Sequence, residues 1–291
     1  MCDEHTQADN EKGFADGALS RRTFGALTAA ALAASVASPA DAAEVKESEV
    51  TIKTPDGECD AHFVHPSKGK SAAVLVWPDI MGLRPAFRTM GKRLAESGYA
   101  VLTINPFYRK QKGQVFDATK ETFSGDTQKR LMALMQSTIN ADNNKTDAIA
   151  FTEWLDKQKE VDAKKKIATT GYCMGGPLVF RTAAFIPNRV GAACTFHGGG
   201  IGSAQPNSPH LLVPQMKASF VICVADNDDK TDPEAKNRLR KAFDDAKLAA
   251  DIEVYTGCMH GWCPIDSQVY NKDGAEKAWG KQLDLFKKTL A

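Results

Sequence analysis

The sequence predicts an α/β fold: a mostly parallel sheet with helices on both faces and an antiparallel hairpin on its N-terminal edge. Short apolar runs of strand length alternate with stretches of helical spacing from about residue 70 to the C-terminus, and such alternation builds a parallel sheet covered on both sides. Runs such as residues 190–196 and 219–225 are apolar at nearly every position, as in strands buried on both faces. Residues 49–65 carry alternating patterns around Asp56-Gly57, a hairpin turn pair.

The elements follow in order. Residues 72–78 read as a strand. Residues 84–97 place Phe87, Met90, Leu94 and Ala95 on one helical face, with Gly98 as a stop. Residues 99–105 are a strand, and 129–157 are mostly helical with a break near Asn143-Asn144. A strand over 166–171 leads into a helix over 175–186. Strands at 190–196 and 219–225 precede a helix over 233–248. The last strand spans 251–255 and the last helix 275–290. Between the strand over 99–105 and the helical stretch over 129–157, residues 108–126 are polar, Gly-containing and without period. They lie beyond a strand end, where open sheets bind ligands, and read equally as a pocket wall or lid and as a plain surface loop.

With 291 residues, 43% of them hydrophobic, the chain can bury one sizeable core. The 37 basic and 36 acidic residues nearly cancel. No element carries the clustered Lys and Arg of a nucleic-acid footprint, and Lys164-Lys165-Lys166 reads as a solvated helix end. The first 42 residues differ from the rest. Arg21-Arg22 precedes an uncharged, Ala-rich stretch over 25–37, and Ala40-Asp41-Ala42 supplies small residues for a peptidase. The stretch is too short to span a bilayer as a helix. The order of parts is that of a secretory signal, and the paired arginines followed by Phe24 resemble the twin-arginine type. The expectation is a signal over 1–42 that engages the twin-arginine translocation machinery, and a periplasmic single domain over 43–291.

Chemistry enters at Gly171-Tyr172-Cys173-Met174-Gly175-Gly176, between a strand and an apolar helix. This is the nucleophile elbow G-x-S-x-G with Cys in place of Ser, the mark of the α/β-hydrolase fold. Its glycines allow neighbouring backbone to approach closely. A helix N-terminus favours a thiolate at Cys173, and the Met174 amide faces the place where an oxyanion forms. The base of such a site comes last in the chain, after the final strand, and His260 in Gly257-Cys258-Met259-His260-Gly261-Trp262 stands there. The acid follows an earlier strand, where Asp226, Asp228, Asp229 and Asp232 all lie. Spacing does not choose among them.

These motifs, with Thr54-Pro55-Asp56-Gly57 and Pro78-Asp79-Ile80-Met81-Gly82-Leu83, resemble the dienelactone hydrolase family, the carboxymethylenebutenolidase type of α/β-hydrolase, over about residues 51–290. The resemblance implies an ester or lactone hydrolase with Cys173 as nucleophile, His260 as base and Asp228 as acid. It implies an oxyanion hole from the amides of Ile80 and Met174. Two departures stand out. Asp79 takes the place of a glutamate that helps make the reactive thiolate. Pro264 takes the place of an arginine that holds a substrate carboxylate. Arg109 and Arg130 could supply that charge, and Arg109 and Trp262 are candidate substrate contacts.

No cofactor or metal is called for, since His62, His65, His197 and His210 have no metal spacing. The expected partner is a small ester or lactone, and the expected state a monomer or weak dimer. Thioesterase activity within the same class, a thiol-redox role for Cys173 and a non-catalytic binding role are the competing readings. Absence of C-x-x-C counts against thioredoxin-like chemistry. Cys258 and Cys263 are expected as thiols, although a bond between them would be possible in an oxidising space.

Overall fold

A computed structural model describes residues 42–290. The export signal read from residues 1–42 therefore lies outside the described residues, save for its last residue. Two long antiparallel strands, β1 (Val45–Thr54) and β2 (Gly57–Pro66), open the domain and turn at Asp56-Gly57. Gly57 there has a φ of +132°, which L side chains rarely adopt. β2 pairs antiparallel with β4 (Ala100–Ile104). All later pairings are parallel: β3 (Ala73–Trp77) with β4 and with β5 (Ile167–Tyr172), then β6 (Val190–Phe196), β7 (Ser219–Ala225) and β8 (Ala250–Tyr255). The sheet order is β1-β2-β4-β3-β5-β6-β7-β8, so the hairpin is the expected antiparallel edge.

Every residue of β3, β4 and β5 is buried, because helices cover both faces. On one side α1 (Pro85–Glu96) and α7 (Lys272–Thr289) bury Phe87, Leu94, Trp279 and Phe286 against Val74, Val101 and Cys194. On the other, α3 (Ala141–Asp156), α4 (Gly175–Phe185) and α6 (Ala235–Ala246) bury Phe151, Phe180 and Phe243 against Leu75, Leu102 and Phe220. A third, smaller apolar cluster lies at the elbow and joins Cys173 to the segment before α2 (Gly125–Thr138).

The long helical stretch over 129–157 is broken, but at 139–140 rather than at Asn143-Asn144. Asn140 caps α3 by accepting from the Asn143 amide at 2.8 Å, as Asn does at an N-cap. A short helix, α5 (Asp226–Thr231), follows β7 directly. It carries the aspartate cluster.

Candidate active site

The elbow is held by contacts that only glycine permits. A Cβ on Gly171 would lie 2.4 Å from the Gly175 carbonyl oxygen, and one on Gly175 would lie 2.2 Å from that of Trp77. The start of α4 is therefore pressed against the end of β3, and this brings the loop carrying Asp79 and Ile80 beside Cys173. Cys173 itself has a φ of +52°, a strained value for a side-chain-bearing residue and one typical of functional turns. Its amide donates to the Phe196 carbonyl at 3.1 Å, and its carbonyl accepts from Gly176 and Gly199. The strain is thus fixed by three backbone bonds. Ile80, Met174 and Cys173 share the third apolar cluster, and Cys173 is only 4% exposed.

His260 arrives from the loop after β8. The Asp226 amide donates to the Cys258 carbonyl at 2.9 Å, and the His260 amide donates to Asn227 Oδ1 at 2.8 Å. These two bonds lock the loop to the start of α5. The ring Nδ1 then meets Asp228 Oδ2 at 2.7 Å. The neighbouring acids point elsewhere: Asp226 to Lys230, Asp229 to Lys236 and Asp232 to Arg238. Of the four aspartates, Asp228 is the one whose carboxylate meets the His260 ring. Asn227, buried at 4% exposure, went unnoticed in the sequence because its bond to the His260 amide joins residues 33 positions apart.

Burial works against charging His260, but the Asp228 carboxylate and the Cys173 side chain, both hydrogen-bonded to it, outweigh burial and push its pKa up to about 10. Nδ1 binds the acid, so the ring orients like the base of a nucleophile–histidine–acid arrangement. His197 packs edge-to-face on His260 with ring centroids 5.0 Å apart. Burial holds its pKa well below the ordinary histidine value, so a neutral ring backs the charged one. Its φ of +43° and its place at the end of β6 make it part of the site's frame.

Three further candidates are held by contacts that their sequence neighbourhoods do not show. Trp262 is fully buried, stacked on Tyr255 at 5.2 Å and edge-on to His197. Gly261, at a φ of +100°, turns the chain inward after His260, so Trp262 supports the loop and offers no surface to a ligand. Arg109 is bound by Asp147 through both Nη atoms and by Asp56. Its two carboxylates tie α3 to the β1–β2 turn and leave its guanidinium no role in gripping substrate. Asp79 does not reserve its carboxylate for the thiol. Arg84 Nη1 and Nη2 donate to its two oxygens at 2.7 and 3.0 Å, and the Met81 amide adds a third bond at 2.9 Å.

The far side of the same guanidinium donates to Asp266 at 2.7 and 2.9 Å. The result is a buried Asp–Arg–Asp bridge from the β3 loop to the loop after His260. Burial raises the Asp79 pKa, Arg84 counters it, and the nearby charge of Cys173 raises it further. Among the described residues no group of three or more His, Cys, Asp or Glu could hold a metal. Cys258 and Cys263 are thiols in the structure.

The sequence model of the Dienelactone hydrolase family matches residues 59–290. The carboxymethylenebutenolidase of Rhodococcus opacus is 25% identical over 233 residues, covering 78% of this chain and 86% of that protein. That of a Pseudomonas species is 24% identical, covering 80% and 91%. The crystal structure of a dienelactone hydrolase from Anabaena variabilis superposes with a TM-score of 0.61 at 15% identity, over 85% of this chain and 99% of that one, a likeness of fold. The chain belongs to the dienelactone hydrolase family and is a hydrolase of the α/β-hydrolase fold.

Proposed function

We propose that this chain cleaves a carboxylic ester or lactone through Cys173, with His260 as proton carrier and Asp228 as its orienting acid. The observation that carries the proposal is the single line of contacts Asp228–His260–Cys173 at a strained elbow. In the resting state Cys173 is a thiolate and His260 an imidazolium. Sγ attacks the carbonyl carbon, and the amides of Ile80 and Met174 receive the developing oxyanion. The C–O bond breaks as His260 gives its proton to the leaving oxygen, leaving a thioester on Cys173. Water then attacks the thioester while His260 takes a proton, and the acid product departs as the thiolate returns. Asp79, anchored by Arg84, stands by as a fixed charge rather than as the proton acceptor.

The test is alkylation read against turnover. Iodoacetamide abolishes hydrolysis of p-nitrophenyl acetate with one carboxamidomethyl group on Cys173. The alkylation rate stays nearly level from about pH 9 down to about pH 6, where an ordinary thiol slows by about tenfold per unit. The sign follows from His260: its raised pKa keeps the imidazolium across this whole range, and that charge holds the thiolate as pH falls, where an unpaired thiol would take up a proton. Full turnover by the alkylated protein would sink the mechanism.

The proposal extends to place. The arginine pair Arg21-Arg22 and the apolar stretch after it support export to the periplasm. Fractionated cells should hold a shortened form outside the cytoplasm, and Arg21→Lys with Arg22→Lys should strand the full-length form inside. Equal partition of the two chains would refute export.

A further inference from the structure

Charge and shape around Cys173 bear on which acyl group the site accepts. The thioester described above fixes where that group goes. Its carbonyl carbon is bonded to Sγ, its oxygen lies toward Ile80 and Met174, and the leaving oxygen lies toward His260. Cys173 itself belongs to the third apolar cluster, packed with Ile80, Phe107, Val115, Phe116, Leu131 and Met174, so the side of the thiol not taken by these polar groups is apolar. Val115, Phe116 and Leu131 come from the segment between β4 and the middle of α2, the stretch whose sequence left lid and surface loop equally open. They are 3%, 4% and 0% exposed, because they face the elbow rather than solvent.

A carboxylate on the acyl group needs a cation, and the arginines that could reach this region are committed. Arg84 has Asp79 on one side and Asp266 on the other. Arg109 has Asp56 and Asp147. Arg130 donates to the Val115 carbonyl and to Glu121, so it fastens the wall instead of facing through it. Around the reacting atoms, Asp79, Asp228 and Asp266 outnumber Arg84 and His260, and the thiolate adds a further negative charge. Burying another anion there without a partner is strongly unfavourable.

We infer that the substrate is an ester with an uncharged, apolar acyl group, seated against Val115, Phe116 and Leu131, and that acyl groups ending in a carboxylate are rejected. The inference rests on Cys173 being the nucleophile. Segment 107–131 must yield to admit the acyl chain, exchanging the side-chain contacts of Val115 and Phe116 for those of the substrate.

The test compares p-nitrophenyl hexanoate with p-nitrophenyl hydrogen adipate, equal in acyl length and different in the terminal carboxylate, on the full chain and on Cys173→Ala. The expected kcat/KM favours hexanoate by about 100-fold, with both activities lost in Cys173→Ala. Adipate hydrolysed as fast as hexanoate, and only when Cys173 is present, overturns the substrate class while the nucleophile stands. Equal hydrolysis by Cys173→Ala overturns the nucleophile, and the inference with it. Phe116→Ala gives a second measurement: the ratio of hexanoate to acetate turnover falls by about tenfold. An unchanged ratio in that variant shows that the acyl group does not use this wall, and overturns the seat.

Discussion

Cys173→Ala lowers kcat for a p-nitrophenyl ester by at least about 10⁴-fold, because the remaining residues can bind and polarise the carbonyl but cannot form the thioester. Thermal unfolding should not suffer. Cys173 lies beside Asp79, and its charge opposes that of the buried carboxylate. Removing the sulfur relieves this repulsion, while the three backbone bonds that fix the elbow remain. The midpoint of the variant should therefore equal or exceed that of the parent, as when a strained functional group is traded for stability. Cys173→Ser should keep weak activity, since serine has no thiolate and must be deprotonated by His260 at each attack. Turnover by the Ala variant within tenfold of the parent would place the nucleophile elsewhere. A midpoint several degrees lower would show that Sγ holds the elbow rather than strains it.

The parts legible in the sequence are those set by local rules. The strands show as buried apolar runs, the elbow as glycines around Cys173, and His260 by its place after the last strand. Residues acting through distant partners were silent. Arg84 and Asp266 are 182 positions apart, and nothing in either neighbourhood announces the other. Arg84 reads as a residue at a helix start and Asp266 as a loop acid, yet together they occupy both faces of one guanidinium and change the part Asp79 can play. Arg109 misled for the same reason. A basic residue near a ligand-binding strand end is a reasonable anchor until Asp147, 38 positions later, claims it. Trp262 misled through its neighbour: position next to His260 suggested contact with substrate, but the left-handed turn at Gly261 sends the ring inward. Residues 108–126 gave no periodic signal because their apolar members, Val115 and Phe116, pack on an irregular path over the elbow instead of along a helix or strand.

Asp228→Asn slows turnover by roughly 10³–10⁴-fold, while Asp226→Asn and Asp229→Asn each cost less than about threefold. The cluster makes this a comparison within one short helix, so general damage to α5 is controlled for. Asp226 and Asp229 spend their carboxylates on Lys230 and Lys236, surface pairs of small energetic weight. Asp228 alone meets Nδ1 of His260. An asparagine there can turn its NH₂ toward Nδ1 and hold the ring in the tautomer that faces Cys173 with the wrong nitrogen state. It also removes the charge that chiefly lifts His260 against burial, so the ring loses its proton at a lower pH than about 10. The second effect has its own readout. With the imidazolium weakened, Cys173 in Asp228→Asn should take on an ordinary thiol's pH dependence, alkylated slowly near pH 6 and faster toward pH 9, while Asp226→Asn and Asp229→Asn retain the nearly level parental profile. The two measurements separate positioning from mere stability, because a loosened α5 would lower turnover without giving Cys173 alkylation an ordinary thiol's pH dependence. Parental kcat in Asp228→Asn would remove the acid from the mechanism. A sensitive Asp226 in its place would mean that the loops after β7 and β8 rearrange when substrate enters.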